Sequence, residues 1–300
     1  RRSSDLNISR KTDVDINFGD EEDITDKVST DVTYNLFEVD LAAKHRIFSR
    51  NQEVEFRFIF SQYQAAIGSF IIPIIEQLYS TTHDTYLIGR NFQVKYTFDG
   101  LLPYVDSEIN TDGVEAVFTY NYEFNKYNED GEYTNVDGIL KPNYKNFNFH
   151  RVELNTKIHF PTFFERHTFT TRLRAGSILG HTVPDFFDSY LGGLVGMRAY
   201  PFYAISGNEV FWLNLTYRFP LFRNIDTRAG HIYIDKMFMS FYGDIGNAWN
   251  GDIPAIKDFK KGAGAEIRIQ MNSYYLFPTQ VFFNASYGFD RFEREVRDEM

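Results

Sequence analysis

Leu191-Gly192-Gly193-Leu194-Val195-Gly196-Met197-Arg198-Ala199-Tyr200 is followed closely by Glu209-Val210-Phe211-Trp212-Leu213-Asn214-Leu215-Thr216-Tyr217-Arg218-Phe219, and then by Phe241-Tyr242-Gly243-Asp244-Ile245-Gly246-Asn247-Ala248-Trp249. The first piece is a glycine-rich loop carrying one cation, Arg198. The second alternates: Phe211, Leu213, Leu215, Tyr217 and Phe219 share one face, and Trp212, Asn214, Thr216 and Arg218 the other. The third offers one carboxylate, Asp244. Alternation of period two is the mark of a strand with one apolar and one wet face.

The same split recurs in both directions from this stretch. Val54, Phe56, Phe58 and Phe60 oppose Glu53, Glu55 and Arg57. Phe92, Val94, Tyr96 and Phe98 oppose Asn91, Gln93, Lys95 and Thr97. Val114, Ala116, Phe118, Tyr120 and Tyr122 oppose Glu115, Thr119, Asn121 and Glu123. Val152, Leu154 and Ile158 oppose Arg151, Glu153, Asn155, Lys157 and His159. Ala265, Ile267, Ile269 and Met271 oppose Glu266, Arg268 and Gln270, and Val281, Phe283, Ala285 and Tyr287 oppose Asn284 and Ser286.

A soluble sandwich alternates too. Two features favour an all-β transmembrane antiparallel barrel over it. The patterned segments run about 10 to 14 residues, where soluble strands average about 5–6. Their polar faces carry charges of both signs, as a small lumen does, and aromatics gather near strand ends where interfacial girdles belong. Composition agrees: 18% of residues are aromatic, with 31 Phe and 20 Tyr, yet only 43% are hydrophobic. No run nears the roughly 18 consecutive apolar residues of a membrane helix. Cysteine is absent, which removes disulfides and thiolate metal sites, and the net charge of −10 argues against nucleic acid as a partner.

Connections alternate in length. Short ones fall at 44–52, 161–167 and 273–278, and long polar ones at 126–146, 181–208 and 250–261. Short periplasmic turns and longer outer loops give that rhythm in outer-membrane barrels. The connection at 99–113 is longer than the scheme expects. About ten clear strands and a weaker one within 6–18 point to a barrel of about 12, an even number being usual. Residues 1–300 are read as that barrel. A closing strand is expected beyond Met300, whose surroundings are charged and loop-like, and a periplasmic domain before Arg1. Residues 65–79 break the period: Ala66, Ile67, Phe70, Ile71, Ile74 and Leu78 recur at helix-like spacing. Pro73 weakens a helix there, so an apolar loop against the barrel rim is preferred to a lid helix.

These motifs resemble the outer-membrane assembly factor superfamily, the BamA/TamA-type bacterial surface antigen barrel. Its sixth outer loop carries a Val-Arg-Gly-Phe/Tyr tetrad, read here as Met197-Arg198-Ala199-Tyr200. The next strand ends Phe-Pro-Leu, read as Phe219-Pro220-Leu221. An aromatic-x-Asp-x-Gly core follows, read as Tyr242-Gly243-Asp244-Ile245-Gly246, and then a glycine-rich strand from Gly262. The likeness is specific over 191–290 and only architectural before it. The detail around Arg198-Ala199-Tyr200-Pro201 and Tyr217-Arg218-Phe219-Pro220 is similar to a subgroup whose barrel ends a longer chain with a large periplasmic domain.

The resemblance implies that loop 181–208 folds into the lumen. An arginine carried there needs a partner, because a confined cation without one is costly. Parity along Ser240, Tyr242, Asp244 and Gly246 turns Asp244 inward, where it can accept a guanidinium fork. Arg198 and Asp244 are therefore expected to lock the loop. Gly192, Gly193 and Gly196 are expected to supply a positive-φ backbone. Two departures from the family pattern weaken the expectation. Ala199 replaces the tetrad glycine, and Thr216 stands where the family often has a second carboxylate.

The implied function is insertion of proteins into, or their translocation across, the outer membrane. The alternative is a membrane anchor or narrow pore for a periplasmic domain of the same chain. An outer-membrane enzyme is the third reading and is disfavoured: the seven histidines, His159 among them, form neither a metal set nor a nucleophile–base pair. No cofactor is expected. The expected partners are the lipid bilayer and lipopolysaccharide, with client or accessory periplasmic proteins.

Overall fold

A computed structural model describes residues 6–17, 25–67, 70–72, 77–79, 82–102, 112–129, 133–136, 139–180, 183–202, 204–274 and 276–291. Eleven long strands run antiparallel in chain order: β1 (Leu6–Asn17), β2 (Thr25–Arg46), β3 (Gln52–Ile67), β4 (Thr82–Leu101), β5 (Gly113–Tyr127), β6 (Lys145–Pro161), β7 (Thr168–Leu179), β8 (Glu209–Phe222), β9 (Ile232–Trp249), β10 (Lys260–Ser273) and β11 (Phe277–Gly288). Each pairs with its sequence neighbours, and a short strand, Thr227–Ala229, pairs with β9 to make the twelfth member of the sheet. The fold is thus the expected all-β barrel type. Among the described residues β1 and β11 do not pair with each other, so the sheet is curled and not closed.

The curl follows from the loop it surrounds. Phe186 meets Tyr63 of β3 at 6.2 Å between ring centres, while Ser286 of β11 reaches the Arg198 carbonyl at 3.0 Å. In a flat sheet β3 and β11 would stand eight inter-strand spacings apart, roughly 38 Å. One loop folded on itself touches both because the wall bends round it.

Register sets what faces inward. Across β6–β10 the inward rungs include Asn155↔Arg174, Lys157↔Arg172, Arg172↔Asn214, Asn214↔Asp244 and Ser240↔Glu266. The outward faces stay apolar and bare: Phe56 is 61% exposed, Leu215 51%, Phe241 47% and Phe283 65%. A soluble chain does not leave so continuous an apolar belt in water.

One end of the barrel is closed by tight turns. Phe48, Arg166, Asp226 and Tyr274 each hold a positive φ there, between 47° and 64°. Phe48, Arg166 and Tyr274 lie in the three expected short connections, and Asp226 lies in a further turn between β8 and β9. At the other end β3 continues to Ile67, and Phe70–Ile72 pairs with Gln77–Tyr79 as a small hairpin. The described parts of 65–79 are therefore strand, neither the lid helix nor the irregular loop. β-Branched isoleucines in a short apolar run suit a ladder, and the helix-like spacing was fortuitous. The middle of the 99–113 connection, residues 103–111, lies outside the described residues.

Candidate functional site: the loop inside the barrel

Residues 183–208 leave β7 and turn into the lumen as three layers. The first is apolar. Phe187 packs on Phe149 and Ile178 with Val183 and Leu87, and Phe186 stacks on Tyr127 at 5.2 Å. These partners are the inward residues at the long-loop ends of β4–β7, so the segment caps that mouth.

The second layer is a set of arginine contacts. Arg151 of β6 donates to the Phe187 carbonyl at 2.7 Å and to Ser189 Oγ at 3.2 Å, and its Nε is held by Glu123 at 2.9 Å. Arg174 of β7 donates to the Tyr190 carbonyl at 2.9 Å while forking onto Glu153 with two bonds of 3.1 Å. In both cases a wall carboxylate fixes a wall guanidinium, which then captures loop backbone. Charge-assisted, forked pairs of this kind are the stronger and more directional hydrogen bonds.

Arg198 reaches the other way, from loop to wall. Its Nη1 donates to Glu266 Oε2 of β10 at 2.9 Å, and its guanidinium lies 4.6 Å above the Tyr242 ring. Glu266 is 3% exposed and also accepts from Arg268, at 2.8 and 3.1 Å. The expected pairing of Arg198 with Asp244 is not what the structure shows. Asp244 does face inward and is buried, but its Oδ1 accepts from Trp212 Nε1 at 3.0 Å and from Asn214 Nδ2 at 2.8 Å. The reason is register. Asp244 stands opposite Gly262 and Ser240 opposite Glu266, so Glu266 lies four residues further toward the short turns. Glu266 was visible as an inward residue of β10; the missing signal was the stagger between strands. Thr216 is buried and donates to Asn214 Oδ1 at 2.8 Å.

The third layer is the tight fold of the loop itself. Met197 is fully buried with Leu191, Ile205, Val210, Trp212 and Ala248. Of the loop glycines only Gly193 has a positive φ, at 91°, so the expectation for the other two is corrected. Gly192 and Gly196 are required by closeness instead: a Cβ would run into the carbonyl oxygens of Pro201 and Leu191 respectively. Ala199 keeps a negative φ, and its methyl occupies space that Gly262 leaves free, where a Cβ would come within 2.9 Å. Gly246 makes the same allowance for Met197, whose sulfur would lie 3.1 Å from an added Cβ. Tyr200 is 3% exposed and donates to the Lys261 carbonyl at 2.7 Å.

The remaining motif residues belong to the wall. Tyr242 donates to Asn284 Oδ1 at 2.8 Å, which positions its ring beneath Arg198. Phe219 points outward among His167, Tyr217 and Phe241, and Pro220 pairs with Phe238 just before a bulge that ends the regular ladder of β8. His159 bonds through Nδ1 to Thr170 Oγ1 at 2.9 Å, and His167 to the Tyr217 hydroxyl at 2.6 Å. Glu129 pairs with Lys145 at 3.4 Å.

An antiparallel barrel-type sheet with a loop docked inside it defines the architectural class. No family model and no curated protein matches the sequence. Among solved structures, the chain is similar to BamA from Haemophilus ducreyi lacking POTRA domains 1–3, with a TM-score of 0.51 and 11% identity. The match covers 86% of this chain and 55% of that one, so the chain spans about half the length of its structural relative. At that identity the likeness is one of fold.

Proposed function

We propose that the chain is a bacterial outer-membrane barrel of the surface antigen type, acting in insertion of proteins into the outer membrane or their translocation across it. The observation that carries the reading is the loop. Residues 183–208 dock inside the barrel through polar contacts and apolar packing against the wall and pair with none of its long strands, so their release would break no rung of the sheet. The bare apolar belt on the outward face is suited to lipid, and the charged inward face to an aqueous lumen. Lipid, lipopolysaccharide and client polypeptides are the partners this reading assigns, and no catalytic role is assigned.

A second reading is favoured by how tightly the loop is packed. Leu191 at 1% and Met197 at 0% exposure show the loop tightly packed, which suits an anchor or a narrow plugged pore for a periplasmic domain. Depletion of the full-length protein in its own bacterium separates the two. Unfolded outer-membrane proteins, detected by loss of heat-modifiable mobility, should accumulate if the chain serves insertion. Normal assembly of those proteins, with loss only of an activity tethered to the barrel, rejects the first reading in favour of the second.

A further inference from the structure

Below the Arg198 contact, toward the short turns, the lumen holds a polar cavity of about 140 Å³. Its lining includes Lys157, Arg172, Arg198, Arg218 and Arg268, and no carboxylate. Arg198 and Arg268 share Glu266, which is not itself in the lining. Glu115 stands opposite Lys157 in the ladder, and Asp244 accepts from Trp212 and Asn214 through Oδ1 while its buried Oδ2 has no hydrogen-bond partner. Among the described residues, Arg172 and Arg218 have neither a hydrogen bond nor an ion pair to the protein. Both are at least half withdrawn from solvent by their place in the rungs Lys157↔Arg172 and Arg218↔Ser240.

Five cations converging on one small space repel one another, and the three nearby carboxylates, Glu266, Asp244 and Glu115, offset only part of their charge. Such a cluster is stable when a mobile anion completes it. The geometry also selects the anion. Guanidinium forks donate pairs of parallel N–H groups that match tetrahedral or planar oxyanions. The Ser240 hydroxyl adds a neutral donor at the same wall. The volume admits a compact anion and excludes a peptide or an oligosaccharide chain.

We propose that this cavity is a binding site for a phosphate-class oxyanion, held chiefly by Arg172 and Arg218. Two sources share that chemistry: free inorganic phosphate, and the phosphate of a lipid headgroup entering from the short-turn end. A bound anion neutralises the repulsion around Arg198 and Arg268, so it strengthens the contact that holds the loop. By linkage, docking of the loop tightens the anion site by the same factor. The assignment of the site does not depend on the protein-assembly reading, since it is tested by binding alone.

The test is a titration of the full-length protein in maltoside micelles, which contain no phosphate. Potassium phosphate is compared with potassium chloride at equal ionic strength, and short-chain phosphatidic acid forms a parallel arm. The expected result is a saturable rise in melting temperature with phosphate, absent with chloride, together with slower amide exchange over 191–205. Arg172→Gln and Arg218→Gln, made separately, should each weaken phosphate binding tenfold or more while melting no lower than wild type in chloride, because each removes an uncompensated cation. Arg223→Gln, exposed at a short turn, should bind normally. Whichever of phosphate and phosphatidic acid binds more tightly identifies the source. Equal responses to phosphate and chloride, or unchanged phosphate binding in both lumen variants, would overturn the proposal.

Discussion

Replacing Glu266 by glutamine tests what holds the loop. The substitution keeps shape and removes one charge from a carboxylate that is 3% exposed and serves two arginines. Breaking one side of a buried ion pair costs about 3–5 kcal/mol, because the partner cation is left uncompensated. Here Arg198 is 17% exposed and keeps its contact with Tyr242, which places the cost toward the lower end, at about 3 kcal/mol. At about 1.4 kcal/mol per tenfold, the released fraction of the loop rises roughly a hundredfold. Hydrogen exchange of the backbone over 191–205 reads that fraction directly, because the bonds Met197 N to Leu191 O and Gly193 N to Tyr200 O protect it only when the loop is folded. Arg198→Ala should match the effect, and the double variant should add little to either single one. Asp244→Asn serves as the contrast, since it disturbs bonds to Trp212 and Asn214 and none to the loop. If Asp244→Asn released the loop and Glu266→Gln did not, the assignment of the ion pair would be wrong.

Other outcomes follow from the same contacts. Gly196→Ala should destabilise the docked loop, by about 1–3 kcal/mol as close-contact strain, seen as protease cleavage within 191–205 at lower enzyme concentration. Phe187→Ala empties the apolar cap and should cost about 3–4 kcal/mol in chemical unfolding, with a larger single-channel conductance in planar bilayers. Asp188, buried beside the cap with Asp185 nearby, has its carboxyl pushed above the usual range by burial first and by Asp185 second. A carboxyl raised in the folded state penalises its charged form, so its contribution improves as pH falls through the raised value and levels off below the ordinary one. Asp188→Asn should therefore exceed wild type in loop protection at neutral pH, and the difference should vanish on acidification; a difference that is constant with pH would contradict this.

How much of this could be read from residues alone differs by level. Period two told inward from outward along β6, β8, β9 and β10, which is why Asp244, Glu266 and His159 were all placed facing the lumen. Parity says nothing of height along the axis. The choice between Asp244 and Glu266 depends on the stagger of neighbouring ladders, which accumulates over several strands and has no local code. The glycines show a related gap. A positive φ can be guessed from turn chemistry, but the closeness of Gly192 to Pro201 and of Gly262 to Ala199 is a tertiary fact. Arg151 and Arg174 escaped notice because their loop partners are main-chain carbonyls, which every residue possesses. At 65–79, a run of isoleucines fits either period, and only pairing with a neighbouring segment decides it.

Those two arginines also bear on how the segment between β7 and β8 can change over generations. They bind peptide oxygens of Phe187 and Tyr190, and so impose a path on the chain with little demand on which side chains follow it. Side-chain identity is demanded at fewer points: Arg198 for its charge, Gly192, Gly193 and Gly196 for their backbone, and Phe187, Met197 and Tyr200 for their packing. The residues between those anchors are free to drift, or to be rewritten in the laboratory, provided that the backbone still passes the two arginines, the glycines and buried side chains are kept, and one cation arrives over Tyr242.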